Sequence, residues 1–250
     1  MQEKPPLPEP FNLEKELLRI MNLLASTGVN YPAGYGELLI RKYKKDHVRY
    51  PRILMRMGEP NIRKHQQFQK ILELKGAFLD YGCGTGDDIR ALVKSGYPPQ
   101  KIVGYDVNWS SINLGFDLYL DRDTLGIQLT VAKEFPFQPS TFDVVYSGSV
   151  IHVLRTKRII KSYISNAYTV LKPAGILFGS TLGFRKGEPS PLLAERRQRR
   201  GWLQRLRRKR VKPLSREELD TLLHEAGFSE IQVSYDEANH RLWFYAQKLI

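Results

Sequence analysis

Three alternating glycines between a short strand and a helix constrain this chain more than any other feature. The loop reads Asp80-Tyr81-Gly82-Cys83-Gly84-Thr85-Gly86. Residues 77–80 before it predict a strand, and residues 87–95 after it predict a helix that Gly96 ends. Glycines in such a turn let the backbone bend sharply and approach a ligand closely. We therefore expect a ligand-binding loop at the carboxyl end of a sheet strand.

The rest of the chain alternates in the manner of an α/β fold. Strands are predicted at 101–106, 127–132, 142–146 and 176–180, with helices at 109–119 and 156–171 between them. This order predicts a parallel sheet with right-handed crossovers. Ser215-Arg216-Glu217-Glu218 is a capping box that opens one more helix, and residues 231–235 and 241–247 predict a hairpin. The sheet should thus end in an antiparallel strand.

Helical spacing dominates the residues before the loop. Asn12 is the expected N-cap of a helix that continues to Ala25, and further helices are predicted at 37–45 and 60–74. We therefore divide the chain into an N-terminal helical cap, residues 1–75, and a ligand-binding domain, residues 76–250.

Two acids accompany the glycine loop. Asp80, at the end of the first strand, is placed to receive an ammonium group. Asp106 ends the second strand, twenty residues beyond Gly86, where a carboxylate can accept both hydroxyls of a ribose. A nicotinamide dinucleotide is the alternative ligand. Its loop favours a last glycine at the position that Asp87 occupies here, so the spacing speaks against it.

Several blocks of the sequence carry a family resemblance. LDYGCGTGDD, FDVVYSGSVIHVL and LKPAGILFGS resemble class I S-adenosylmethionine-dependent methyltransferases. Residues 112–125, 150–152 and 179–183 are also similar to small-molecule methyltransferases of fungal secondary-metabolite clusters. The resemblance implies a Rossmann-like sheet and S-adenosylmethionine as cofactor. It implies these cofactor-binding residues: Asp80, Gly82, Cys83, Gly84, Gly86, Asp106, Val107, Ala132, Lys133 and Ser147.

The adenine contact departs from the family pattern. Related enzymes often carry an aspartate near the end of the third strand, where this chain has Val131. Backbone groups of Ala132 and Lys133, or the side chain of Glu134, are the candidates to replace it.

The acceptor chemistry leaves two readings of His152. It follows the fourth strand, near the expected methyl position, and a histidine there can act as a general base. It can equally orient a loop or bind the acceptor without taking a proton. A carboxylate acceptor is already ionised and needs no base, whereas a hydroxyl benefits from one.

Tyr31 and Tyr35 are candidates to cover the donor, or else ordinary core residues.

Most of the positive charge lies in one segment. The chain has a net charge of +13, and residues 185–212 hold twelve Lys or Arg against two Glu, which is +10. Trp202 lies among these arginines at helical spacing with two leucines. Such a segment suits an anionic membrane, a nucleic acid or an acidic small substrate, or it is simply a solvated face.

These features lead to three functional hypotheses. The first is methyl transfer to the carboxylate or hydroxyl of a small metabolite, the second is RNA methylation through the basic segment, and the third is a non-catalytic binding protein. Cys83 is the single cysteine, and no histidine or cysteine spacing indicates a metal site. With no signal-like or membrane-spanning run, we expect a cytoplasmic location.

Overall fold

The computed structural model describes residues 11–45, 54, 57–185 and 213–249. Helix α1 (Leu13–Ala25) begins as expected, because the Asn12 side chain accepts a hydrogen bond from the Lys15 amide at 3.1 Å. It is followed by α2 (Tyr35–Lys45), a 3₁₀ turn (Ile62–Lys64) and α3 (Phe68–Leu74). The single helix expected at residues 60–74 is thus replaced by a 3₁₀ turn and a shorter helix.

The predicted alternation of strands and helices is confirmed. The elements are β1 (Phe78–Tyr81), α4 (Asp87–Lys94), β2 (Ile102–Asp106), α5 (Trp109–Tyr119), β3 (Gln128–Val131), β4 (Phe142–Gly148), a 3₁₀ turn (Ile151–Val153), α6 (Lys157–Val170) and β5 (Leu171–Phe184). After residues 186–212 follow β6 (Leu214–Ser215), α7 (Arg216–Glu225), β7 (Phe228–Asp236) and β8 (Arg241–Lys248). The capping box of α7 is present, with the Ser215 hydroxyl and the Glu218 carboxylate each bonded to the other residue's amide.

The sheet has the order β3-β2-β1-β4-β5-β8-β7. Strands β1 to β5 pair in parallel, whereas β8 is antiparallel to both β5 and β7. The expected Rossmann-like sheet with an antiparallel C-terminal strand is therefore confirmed. Loops at the carboxyl ends of β1, β4 and β5 and the start of β8 meet at one edge, which is where ligands bind in open α/β sheets.

Both faces of the sheet are covered. Helices α6 and α7 pack on one face through a core that includes Val145, Ile164, Leu219 and Leu242. Helices α3, α4 and α5 cover the other face, where Phe78, Ile89 and Tyr146 are buried. In the described residues no helix is both long enough and apolar enough to cross a bilayer.

The N-terminal helices form a core of their own against α5. Leu17 and Ile20 of α1 and Leu39 of α2 are fully buried together with Leu114 and Leu118 of α5. The helical cap therefore rests on the helix that follows β2.

Candidate functional site

The glycine loop is fastened to the neighbouring strand by its own backbone. The amides of Gly82 and Cys83 both donate to the carbonyl of Tyr105, at 2.7 and 3.0 Å. Gly82 has a φ of 90°, and a Cβ there would lie 2.4 Å from Val150 Cγ2. A side chain at this position would thus strain the backbone and collide with the segment after β4. The glycine is required by both conformation and space.

The side chain of Cys83 points away from the open side of the loop. That side chain is buried, and its Sγ points toward Gly104 on β2, where an added Cβ would be 3.2 Å away. Burial, with Asp80 and Asp106 nearby, raises the pKa of the Cys83 thiol well above its ordinary value. The side chain fills the core beneath the loop, so a cofactor contact through the thiol is excluded by this geometry.

Asp106 is oriented by two backbone amides. Its Oδ2 accepts from the Gly84 amide at 2.9 Å, and its Oδ1 accepts from the Asn108 amide at 2.8 Å. A carboxylate has about four acceptor positions, so these two hydrogen bonds orient the group without using all of them. The arrangement is compatible with the hydroxyls of a ribose as further donors.

Apolar side chains beside Asp106 are exposed to solvent. Val107 is 50% exposed, Trp109 49% and Val131 36%, although large apolar residues of this fold are mostly buried. Val131 lies directly opposite Asp106 on β3. An exposed apolar group next to a ribose-binding acid fits the faces of a purine ring. Sequence reasoning named Val131 as a departure from the family and missed this use of it.

The other candidate adenine contacts lie just beyond β3. The carbonyl of Ala132 already accepts a hydrogen bond from the Tyr105 hydroxyl at 3.1 Å, and Lys133 is exposed. Their contact with adenine stays a prediction.

Asp80 is a buried carboxylate whose partner is missing from the described part of the chain. It is 2% exposed, and none of the described residues donates a hydrogen bond to it. Burial, with the nearby carboxylates of Asp88, Asp106 and Asp87, raises the pKa of Asp80 well above its ordinary value. Burying an unpaired carboxylate among like charges is costly, and a cationic ligand removes that cost. The site therefore fits an ammonium or sulfonium group.

Two further acids, which sequence analysis did not single out, cover the start of α4. Asp87 Oδ1 accepts from the Gly58 amide at 3.1 Å, and Asp88 Oδ1 accepts from the Ile62 amide at 2.8 Å. Burial raises the pKa of Asp88 to about 6. These acids tie the segment before α3 to the loop. They also place negative charge at the N-terminus of α4, where it interacts favourably with the helix dipole.

Ser147, at the end of β4, is turned away from the loop. It is fully buried, and its hydroxyl shares a 2.8 Å hydrogen bond with Tyr163 of α6. Because that side chain is enclosed beneath α6, a predicted cofactor contact at this position can involve only its backbone.

His152 lies in the 3₁₀ turn after β4 and is anchored to β5. Its Nδ1 is 3.1 Å from Thr181 Oγ1 and accepts the Leu182 amide at 3.4 Å. Since Nδ1 is an acceptor in this arrangement, a neutral ring carries its proton on Nε2. With Nδ1 already accepting a hydrogen bond, the neutral ring has no nitrogen ready to take a proton, which favours binding or orienting over the removal of a proton.

Tyr31 and Tyr35 lie together against α5. Their rings stack with centroids 5.7 Å apart, and their hydroxyls donate to the carbonyls of Leu118 and Asp117. These contacts are those of a packed cap, and a role in covering the donor stays a prediction.

The basic segment falls almost wholly outside the described residues. Of residues 185–212 only Arg185 is described, and it pairs with Glu237 at the hairpin. Trp202 lies outside the described residues. The segment on which the hypothesis of an anionic surface partner depends lies outside them too. Over the ranges that the structure describes, no cluster of three His, Cys, Asp or Glu side chains is arranged to hold a metal ion.

The sheet order, the glycine loop and the two strand-end acids define the fold of a class I methyltransferase. A family model described as a methyltransferase domain matches residues 50–233, which is well over half of the chain. This chain belongs to that family, and the Rossmann-like class I methyltransferase fold predicted from the sequence is confirmed.

Curated relatives include fungal methyltransferases. O-methyltransferase phiE of Fungal sp. (strain ATCC 74256) is 30% identical over 101 residues, which cover 35% of this chain and 34% of that protein. Methyltransferase trt5 of Aspergillus terreus is 35% identical over 88 residues, 32% of each chain. The chain thus spans about a third of the length of the curated relatives it matches.

Solved structures share the fold at low identity. The CurJ carbon methyltransferase has a TM-score of 0.59 and 18% identity, over 95% of this chain and 68% of that one. A Haemonchus contortus phosphoethanolamine N-methyltransferase in complex with S-adenosyl-L-methionine has a TM-score of 0.54 and 18% identity, over 69% and 48%. The [4+2]-cyclase SpnF also matches, with a TM-score of 0.55 and 16% identity over 74% and 82%. The fold alone therefore does not decide the reaction.

The residues present fit S-adenosylmethionine, the cofactor that this family implies. The unpaired, buried Asp80 fits its ammonium group, the carboxylate of Asp106 fits its ribose, and the exposed apolar group beside Asp106 fits its adenine. A side chain at Gly82 would close the turn between these positions.

Proposed function

We propose that this chain binds S-adenosylmethionine and transfers its methyl group to the carboxylate or hydroxyl of a small-molecule acceptor. The observation that carries the donor is Asp80, a carboxylate buried without a hydrogen bond from the described residues at the end of β1. The names of the fungal relatives phiE and trt5, both methyltransferases, support the reaction type. Their resemblance covers a minor part of each protein, so the acceptor is a proposal.

In this proposal the protein acts chiefly by positioning. Asp80 and the loop backbone hold the methionine end of the donor, and Asp106 holds the ribose. Bound S-adenosylmethionine supplies an electrophilic methyl carbon on a sulfonium. The residues after β4 then align the acceptor oxygen with that carbon, since an in-line displacement depends on geometry above all.

The donor site is tested by replacing the ribose acid. We expect Asp106→Ala to weaken S-adenosylmethionine binding by about 10- to 100-fold, because it removes charge-assisted hydrogen bonds to the ribose and frees the Gly84 amide. Calorimetry with S-adenosylmethionine measures this. Asp123→Ala, which removes an exposed acid, is the matched control. Unchanged affinity in Asp106→Ala, or no binding by the wild type, would refute the proposed donor site.

The acceptor is tested by a labelled-methyl transfer screen. The panel contains carboxylic acids, phenols, amines and RNA, with S-adenosylmethionine as donor. The proposal expects product from acids or phenols. Transfer to RNA alone, with binding that weakens steeply as salt rises, would instead favour nucleic-acid methylation through the basic segment.

We propose that His152 orients the acceptor and removes no proton, because its Nδ1 already accepts the Leu182 amide. His152→Gln keeps a side-chain donor, so we expect turnover to fall less than about 10-fold, with the change mainly in the KM of the acceptor. Loss of a general base costs about 10²- to 10⁴-fold in turnover. Steady-state kinetics separates the two, and a collapse of kcat at unchanged KM would show that the ring removes a proton.

A further inference from the structure

Arg241 is a buried cation with an unused donor. It is the first residue of β8 and is 2% exposed. Its Nη1 donates to Ser149 Oγ at 2.9 Å and to Ser180 Oγ at 2.7 Å. Its Nη2 is buried and has no hydrogen-bond partner, and no described carboxylate pairs with the guanidinium. Asp236, directly opposite on β7, turns its carboxylate to Asn239 instead.

This arrangement is energetically incomplete. A guanidinium stays charged at every physiological pH, so it cannot escape burial by losing a proton. Removing such a charge from water is strongly unfavourable unless an anion compensates for it. The two serine hydroxyls orient the group but carry no charge. The part of the chain that the structure describes therefore lacks an anion at Nη2.

The guanidinium lies at the same edge of the sheet as the donor site. Asp80 pairs with Tyr146, Tyr146 with Phe178, and Ser180 is two residues beyond Phe178. Paired residues, and residues two apart in a strand, share one face of the sheet. Ser180 is thus on the same face as Asp80, two strands across and two residues further along, or about 12 Å away at ordinary strand spacing and rise.

That separation argues against the donor's own carboxylate as the anion. The ammonium and the carboxylate of methionine are attached to one carbon, so a donor held at Asp80 keeps its own carboxylate near β1. Arg241 lies on the far side, next to the ends of β4 and β5. Trp243, whose ring centroid is 5.7 Å from the Arg241 Cζ, adds an aromatic wall there.

We propose that Arg241 binds a carboxylate of the methyl acceptor, with Ser149 and Ser180 holding the guanidinium in place. The role of the bound acid as methyl acceptor rests on the proposed methyltransferase function, whereas the carboxylate site does not. Nη1 uses its two N–H groups on the serines, so the carboxylate is bound through the unused Nη2, whose donors form charge-assisted hydrogen bonds. The acceptors are accordingly acids, and neutral analogues bind poorly.

The anion site is tested without any donor. Millimolar benzoate should raise the melting temperature of the wild type, since a ligand that binds only the folded state stabilises it, and benzamide should not. Arg241→Met should abolish the benzoate effect while keeping or raising the melting temperature of the free protein, because an uncompensated charge is removed. Arg241→Lys keeps the charge but loses the guanidinium, so it should retain a weaker effect. Arg158→Gln, on the exposed surface of α6, is the matched control.

The acceptor role is tested by labelled-methyl transfer to carboxylic acids and to their primary amides. We expect transfer to the acids, and a loss on the order of 100-fold in kcat/KM for Arg241→Met, with the Kd for S-adenosylmethionine unchanged.

Equal effects of benzoate and benzamide on the wild type would overturn the site. A drop in melting temperature in Arg241→Met with the benzoate effect intact would make Arg241 structural. Loss of S-adenosylmethionine binding in that variant would assign the guanidinium to the carboxylate of the donor. If the wild type binds benzoate but no S-adenosylmethionine, the methyltransferase proposal fails and the anion site stands.

Discussion

Asp80→Asn is expected to weaken S-adenosylmethionine binding by about 100-fold while raising the melting temperature of the free protein. The opposite signs follow from one feature. The Asp80 carboxylate is buried without a donor among the described residues, and burial raises its pKa well above the ordinary value, as do the nearby acids. The substitution removes an unfavourable buried charge and so stabilises the free protein. It also removes the counter-ion of the cationic ligand and so weakens binding. Calorimetry and thermal melting measure the two effects.

The same substitution should change how stability depends on pH. A carboxyl group whose pKa is higher in the folded than in the unfolded protein stabilises the fold below its unfolded pKa. That contribution is lost as the pH rises through the folded value. The wild type and Asp80→Asn should therefore melt most alike below the ordinary aspartate value of 3.8, and diverge as the pH is raised.

An exposed acid provides the control for this experiment. Asp123→Asn removes the same charge from the surface after α5, and it should change neither affinity nor the pH profile. A lower melting temperature in Asp80→Asn at neutral pH would show that the carboxylate has a stabilising partner in the folded protein. An unaltered affinity for S-adenosylmethionine would show that Asp80 does not bind the donor.

Local patterns account for what the sequence could reveal. The loop, Asp106 and the capping box at Ser215 are each defined by residues a few positions apart or by the regular length of a βαβ unit. Such features depend little on the rest of the fold. Sequence analysis found them for that reason.

Contacts between distant segments account for what was missed. Asp88 meets Ile62 26 residues away, and Tyr163 encloses Ser147 from the next helix. The sequence places Arg241 in a strand and nothing more, because the lack of a counter-ion among the described residues emerges only when its surroundings are assembled. Val131 was the exception. Its position at the end of β3 was noted from the sequence, and only its exposure was unknown.

Gly115→Ala should show how closely the cap and the cofactor loop are joined. In the middle of a helix this change ordinarily stabilises a protein by about 0.5–1 kcal/mol. Here a Cβ would lie 2.1 Å from the carbonyl oxygen of Thr85, a backbone atom that cannot rotate away. We expect destabilisation of about 2–3 kcal/mol, or more if the loop cannot yield. We also expect weaker S-adenosylmethionine binding, because the loop must move.

The matched control is a glycine in the cap itself. At Gly36, in α2, an added Cβ would meet the flexible end of Leu18 at 3.3 Å, so Gly36→Ala should be neutral or mildly stabilising. Denaturant unfolding compares the two variants, and calorimetry tests the loop. A stabilised Gly115→Ala with full affinity would show that α5 and the loop are free to separate. The expected loss would show instead that α5 is a shared support. It presses on the loop at Gly115 and holds the cap at Leu114 and Leu118, so a shift of the cap is transmitted to the residues that hold the donor.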